Sequence, residues 1–294
     1  MRLLIAISSK EYSEATLKIG LEIARAFKAC VTIACVSPKS SSFTRDQVRL
    51  AQESMERWNF DQPAVSVLEW AFDYLKDNQF ISPESCETGF QKKLLVKRAG
   101  TRGEINLEGV FCKQVNLILR FGEIISELRD EVQKHSYDVT IIGGSQKRRM
   151  AHDLVQYIDS SILVVKQIDF NKLYRVLLAV DDSKGTKKAV DFGITIAKAY
   201  KLEVDVLTVS KRQRFGSGYR GASDRACQYL EEASVKYQRH LKVGDPVETI
   251  VAMAGENHIT IMGISSKNPL KKFFVGSKPV SVMGKSDSPI LIVK

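Results

Sequence analysis

The stretch Arg2–Ser37, RLLIAISSKEYSEATLKIGLEIARAFKACVTIACVS, decides the fold because it occurs twice. Its counterpart is Arg175–Ser210, RVLLAVDDSKGTKKAVDFGITIAKAYKLEVDVLTVS, which aligns without a gap at an offset of 173. Each copy has an apolar run, a polar turn, an amphipathic segment and a second apolar run. Leu3–Ile7 and Val176–Val180 are near-continuous apolar runs, as expected of strands covered on both faces. Leu17, Leu21 and Ala24, with their counterparts Val190, Ile194 and Ala197, recur at helical spacing. The segments close on Ala-Arg-Ala-Phe-Lys and Ala-Lys-Ala-Tyr-Lys, and the next strands are Val31–Val36 and Val204–Val209. A strand–helix–strand of this length implies a right-handed parallel crossover.

The repeat resumes further on. Leu119-Arg-Phe-Gly-Glu-Ile-Ile125 matches Leu241-Lys-Val-Gly-Asp-Pro-Val247 at an offset of 122. The acid after the glycine suits a helix N-terminus. Val139–Gly143 matches Ile259–Gly263 at 120, and Ile162–Lys166 matches Ile290–Lys294 at 128. The expected fold class is α/β: two tandem doubly wound domains, each a five-stranded parallel sheet with four helices. The expected domains are 1–168 and 173–294, with the boundary in Gln167–Tyr174.

The changing offsets locate the insertions. The fall from 173 to 122 gives the first copy 51 additional residues, within Pro38–Asn116. Helices are expected there around Thr44–Trp58 and Ala64–Lys76. A Gly-punctuated section from Lys93 through Gly100, Gly103 and Gly109 suits a hairpin. The insertion reads as a surface elaboration, with a partner-binding or lid role as the alternative. The rise from 120 to 128 gives the second copy eight more residues between its fourth and fifth strands. That difference bears on chemistry, because ligands in open α/β sheets bind beyond the carboxyl ends of the strands.

There the second copy reads Met262-Gly-Ile-Ser-Ser-Lys-Asn-Pro-Leu-Lys-Lys-Phe-Phe-Val-Gly-Ser-Lys-Pro279. Gly263 at a strand end lets backbone approach a ligand closely. Gly276-Ser277-Lys278-Pro279 then opens a helix, whose free N–H groups and dipole make an anion site. Lys267, Lys271, Lys272 and Lys278 surround it. A basic helix face on an ordinary crossover is the plainer alternative.

Both halves resemble universal stress protein domains. The resemblance covers nearly the whole chain outside the insertion. The ATP-binding members of that family carry Gly, two residues, Gly, nine residues, Gly-Ser/Thr after the fourth strand. The resemblance implies an adenine nucleotide, ATP with or without Mg, in the C-terminal half. It assigns cofactor contacts to Ala179, Val180 and Asp181 at the end of the first strand. It assigns the adenine position to Val209, and further cofactor contacts to Met262, Gly263, Ser265, Ser266, Gly276, Ser277 and Lys278. Ser266 departs from the family's second glycine, and Pro279 removes an amide donor. The first copy has Ser8 for the aspartate, Gln146 for the second glycine and Gln156-Tyr157 for the final pair. It is expected not to bind ATP in the family manner.

Isolated domains of that family pair through their last strands. The resemblance therefore implies that Ile162–Lys166 and Pro289–Lys294 pair edge to edge within one chain, as an intrachain pseudo-dimer. A homodimer and an unidentified protein partner stay open. Catalysis has no signature here: no Walker loop, no paired carboxylates, and no histidine beside a nucleophile. At most, the resemblance allows slow ATP hydrolysis or autophosphorylation.

The net charge of +10 favours anionic partners without choosing among them. Its basic clusters lack interleaved aromatics, which argues against nucleic acid. Five cysteines without a CxxC, and no long apolar run, fit a cytoplasmic, disulfide-free and metal-free protein with no membrane span. The leading expectation is a nucleotide-binding stress or regulatory protein. The alternative is a nucleotide-free interaction module that regulates a transporter or kinase.

Overall fold

The computed structural model describes residues 1–38, 63–96, 102–144, 148–166, 168–170, 172–264 and 278–294. In the N-terminal half the elements are β1 (Arg2–Ile7), α1 (Lys10–Phe27), β2 (Cys30–Ser37), α2 (Pro63–Asp77), α3 (Pro83–Thr88) and α4 (Lys92–Val96). Then come β3 (Arg102–Leu107), β4 (Val115–Phe121), α5 (Ile124–His135), β5 (Val139–Gly143), α6 (Arg148–Tyr157) and β6 (Ser161–Val165). The C-terminal half has β7 (Arg175–Ala179), α7 (Gly185–Tyr200), β8 (Val204–Ser210), α8 (Ser217–Glu232) and β9 (Tyr237–Val243). It closes with α9 (Pro246–Ala254), β10 (His258–Gly263), α10 (Lys278–Lys285) and β11 (Ile290–Val293).

These strands form one 11-stranded sheet in the order β3-β4-β2-β1-β5-β6-β11-β10-β7-β8-β9. All neighbours are parallel except two pairs, β3–β4 and β6–β11. The β6–β11 seam pairs Ile162 with Ile292, Leu163 with Leu291 and Val164 with Ile290. Helices cover both faces. One buried layer sets Leu17 and Leu21 of α1 with Leu68 of α2, Val190 of α7 and Leu230 of α8. The other sets Leu128 of α5 and Leu154 of α6 with Ile250 of α9 and Val282 of α10.

The repeated sequence builds repeated detail. Gly20 and Gly193 sit at equivalent helix positions. A Cβ on either would lie 2.6 Å from a side-chain carbon of Ile5 or Leu178, so glycine sets how closely α1 and α7 approach the sheet. Both helices end on a left-handed lysine, Lys28 at φ 47° and Lys201 at φ 53°. Glu123 and Asp245, expected near helix starts, are the N-caps of α5 and α9. Each accepts two backbone N–H groups.

The N-terminal half departs from the expected five parallel strands. It has a sixth, β3, added antiparallel to β4. The Gly-punctuated section was expected to hold a hairpin beginning near Lys93. Instead Lys92–Val96 is helical, and the hairpin is formed by β3 and β4. Its physical basis is a row of cross-strand pairs. Ile105 and Leu107 bury against Leu117 and Val115, and Arg102 reaches the carboxylates of Glu104 and Glu131. Helix α2 takes the place expected for Ala64–Lys76. The helix expected at Thr44–Trp58 lies outside the described residues.

Candidate functional site

The connectivity of the C-terminal half creates a crevice. From β7 the chain moves outward through β8 and β9, then returns to place β10 on the other side of β7. The strand order therefore reverses between β7 and β10, and ligands bind at such a switch point beyond the carboxyl ends. Asp181, Val209 and Gly263 all stand at that end, on or just past three adjacent strands.

Asp181 follows β7 by two residues. Its Oδ1 accepts from the Ser183 N–H at 3.0 Å and from the Thr186 hydroxyl at 3.1 Å. The same hydroxyl lies 2.8 Å from the Asp181 carbonyl oxygen. Thr186 is buried at the start of α7, so the helix orients the carboxylate. No described residue bonds Oδ2. Val180 is buried just before it, and its N–H donates to the Leu207 carbonyl at 2.9 Å. Ala179 pairs with Leu207 on one side and with Met262 on the other.

That Val180–Leu207 bond is the last between β7 and β8. Backbone groups alternate sides along a strand, so Val209 presents its N–H and C=O to the same side as Leu207. They project past the point where β7 has turned away. The Val209 side chain is buried.

Gly263 ends β10. A Cβ there would lie 2.4 Å from the Gly185 carbonyl carbon and 2.8 Å from the Thr186 nitrogen. A Cβ on Gly185 would in turn lie 2.6 Å from the Ile264 carbonyl oxygen. Two facing glycines thus let the start of α7 close onto the end of β10. This fixes Thr186, and through it Asp181. Met262 is buried behind Gly263. Lys278 is the exposed first residue of α10, followed by buried Pro279. Ser265, Ser266, Gly276 and Ser277 lie outside the described residues.

Sequence reasoning missed Ser183, Gly185 and Thr186. A signal was present, since Ser13 holds the position equivalent to Thr186 in the gapless alignment. There its hydroxyl accepts from the Ser8 N–H at 2.9 Å. The N-terminal half thus keeps the hydroxyl and Gly143, but has Ser8 where the C-terminal half has a carboxylate.

A second cluster joins the opposite ends of β7, β8, β9 and β10. The buried carboxylate of Asp205 accepts from Arg175 Nε at 2.6 Å, His240 Nε2 at 2.8 Å and His258 Nε2 at 3.0 Å. Burial alone would raise its pKa. The hydrogen bonds from Arg175, His258 and His240 outweigh burial and hold it at about 2. His258 Nδ1 also lies 2.9 Å from the Ala254 carbonyl. Both histidines have a structural place, at the far end of the strands from Asp181. Among the described residues no group of three or more His, Cys, Asp or Glu could hold a metal, and no helix is long and apolar enough to cross a membrane.

The model of the Universal stress protein family matches residues 173–294. Universal stress protein MJ0577 of Methanocaldococcus jannaschii is 29% identical over 122 residues, which are 40% of this chain and 75% of that protein. A universal stress protein of Archaeoglobus fulgidus DSM 4304 matches 100% of this chain and 96% of its own, at 16% identity and a TM-score of 0.58. A putative universal stress protein of Pseudomonas aeruginosa UCBPP-PA14 matches 100% and 92%, at 14% identity and a TM-score of 0.60. The α/β fold of universal stress proteins therefore extends over the whole chain, while the family match itself falls on the C-terminal half.

Proposed function

We propose that the C-terminal half binds an adenine nucleotide, ATP, in the crevice between β7 and β10. The observation that carries this reading is Asp181, whose Oδ1 is fixed by Ser183 and Thr186 while Oδ2 has no described partner. A carboxylate held in this way suits a ribose hydroxyl, which donates to it. The Val209 backbone, past the end of β7, suits the edge of the base. In this reading Gly263 and the start of α10 at Lys278 offer the phosphates backbone N–H groups and a cation. The lost amide of Pro279 leaves one donor fewer there. The N-terminal half, with Ser8 in place of the carboxylate, acts as a non-binding partner across the β6–β11 seam. The role proposed is nucleotide binding with a regulatory output. Isothermal titration of the full chain with ATP tests it. Wild type is expected to saturate, and Asp181→Ala to bind at least ten-fold more weakly. Equal binding by both proteins would refute the site.

A further inference from the structure

A second concavity lies at the opposite end of β10 from Gly263. Helices α1 and α7 converge there over Leu163 of β6 and Ile259 of β10, and the described residues between β6 and β7 form its outer wall. The cavity has a volume of about 360 Å³, within the range of small-molecule sites. Its lining is aliphatic at the floor, with Ile19 and Ile23 from α1 facing Ile196 from α7.

The outer wall is unlike an ordinary connection, which is polar and solvated. It contributes Ile168, Phe170, Leu173 and Tyr174. Phe170 is 46% exposed and Leu173 92% exposed. Large apolar side chains left in water at the mouth of an apolar cavity mark a binding surface.

Two cations stand at this mouth. Lys18 Nζ lies 3.7 Å from the Phe170 ring centroid, and among the described residues no carboxylate pairs with it. Lys172 Nζ lies 2.9 Å from Glu256, in an exposed ion pair that contributes little and can exchange partners. Glu22 of α1 also lines the cavity, and Arg25 offsets its charge. Glu22 pairs with Arg25 at 3.1 Å, and its backbone carbonyl accepts from the Tyr200 hydroxyl.

We propose that this cavity binds a single-chain anionic amphiphile, a free fatty acid. Its chain lies against Ile19, Ile23, Leu163 and Ile196, and its carboxylate meets Lys18 and Lys172 at the mouth. A mostly aliphatic interior with Lys18 and Lys172 at its rim matches the polarity of such a molecule. Both halves of the chain line the cavity, so the ligand would bridge them.

Calorimetric titration of the full chain with sodium dodecanoate, below its micelle concentration, tests the proposal. One saturable site is expected in wild type. Lys18→Glu with Lys172→Glu, two surface changes, should weaken it at least ten-fold. Dodecyltrimethylammonium, with the same chain and opposite charge, should bind wild type at least ten-fold more weakly than dodecanoate. Ile196→Trp should abolish binding by filling the cavity, provided its far-ultraviolet circular dichroism matches wild type. No saturable binding, or an affinity unchanged by the lysine substitutions, would overturn the proposal. So would light scattering that shows a dimer lost on Ile196→Trp without amphiphile, since a second copy would then be the occupant.

Discussion

Lys166 and Lys294 each close a helix in the other half of the chain. Lys166 Nζ donates to the Met283 carbonyl at 2.7 Å and to the Ser286 carbonyl, at the end of α10. Lys294 Nζ donates to the Val155 carbonyl at 2.7 Å and to the Ile158 carbonyl, at the end of α6. The two sets of residues are related by the offset of 128 that relates the last strands. The axis of this internal symmetry passes between Leu163 and Leu291, which pair at the centre of the seam. An ammonium group at a helix C-terminus meets unsatisfied carbonyls and the negative end of the dipole.

Removing either lysine leaves carbonyls in the other half without their donor. Lys166→Ala is expected to lower stability by about 1–3 kcal/mol, the cost of unmaking buried hydrogen bonds to a charged group. Urea denaturation followed by circular dichroism would register this as a lower midpoint. An unchanged midpoint would mean that the seam is held by its strands alone.

Lys294 also predicts a pH effect of unusual sign. Burial lowers its pKa to about 8, with Asp159 opposing only in part. The unfolded chain holds this proton to about pH 10.4. Between these values the unfolded state binds more protons than the folded state, so the contribution of Lys294 to stability rises with pH. Tyrosines with raised pKa values act oppositely at high pH. The effect therefore appears as the difference between wild type and Lys294→Met, measured by urea titration from pH 7.5 to 10.

Asp205 sets the acid limb. Its folded pKa, about 2, lies below the ordinary aspartate value of 3.8. The stability it contributes is complete above about pH 4 and is lost as pH falls towards 2. Allowing for solvent screening, the amount is about 1–2 kcal/mol. Asp205→Asn should flatten that part of the stability profile and destabilise the protein at pH 7.

Gly263→Ala tests the packing of the crevice proposed for the nucleotide. The new Cβ meets backbone atoms of Gly185 and Thr186, which cannot rotate away as a side chain would. A cost of about 1–3 kcal/mol is expected from overpacking. Displacing Thr186 also frees the Asp181 carboxylate, so ATP affinity should fall with stability. Wild-type thermal stability in this variant would show that α7 does not close onto β10 as described.

Periodicity and the repeat made the parallel strands, their helices and the crevice end of the sheet legible. These features depend on local apolar patterns and on spacing. The strand β3 was foreseen only as part of a hairpin and not as a member of the sheet, because its pattern, Arg-Gly-Glu-Ile-Asn-Leu, is short and polar on one side. It becomes a strand only through pairing with β4 and through the partners of Arg102. The Asp205 cluster escaped for a related reason. Arg175, Asp205, His240 and His258 are far apart in sequence and meet only because four strands lie side by side. At the crevice, Gly263 could be named from its place at a strand end, and Asp181 from the family resemblance. The hydroxyl of Thr186 left a trace in the repeat, as Ser13 at the equivalent position, but the facing Gly185 left none, since nothing in the spacing says what a helix start must touch.

The proposed function requires a single adenine-nucleotide site in the C-terminal half of a chain whose two halves share one sheet. Native mass spectrometry of the full chain with ATP tests it most directly, with Asp181→Ala in parallel. One nucleotide per chain is predicted for wild type and none for the variant at the same concentration. Two nucleotides per chain, or one that persists in Asp181→Ala, would contradict it.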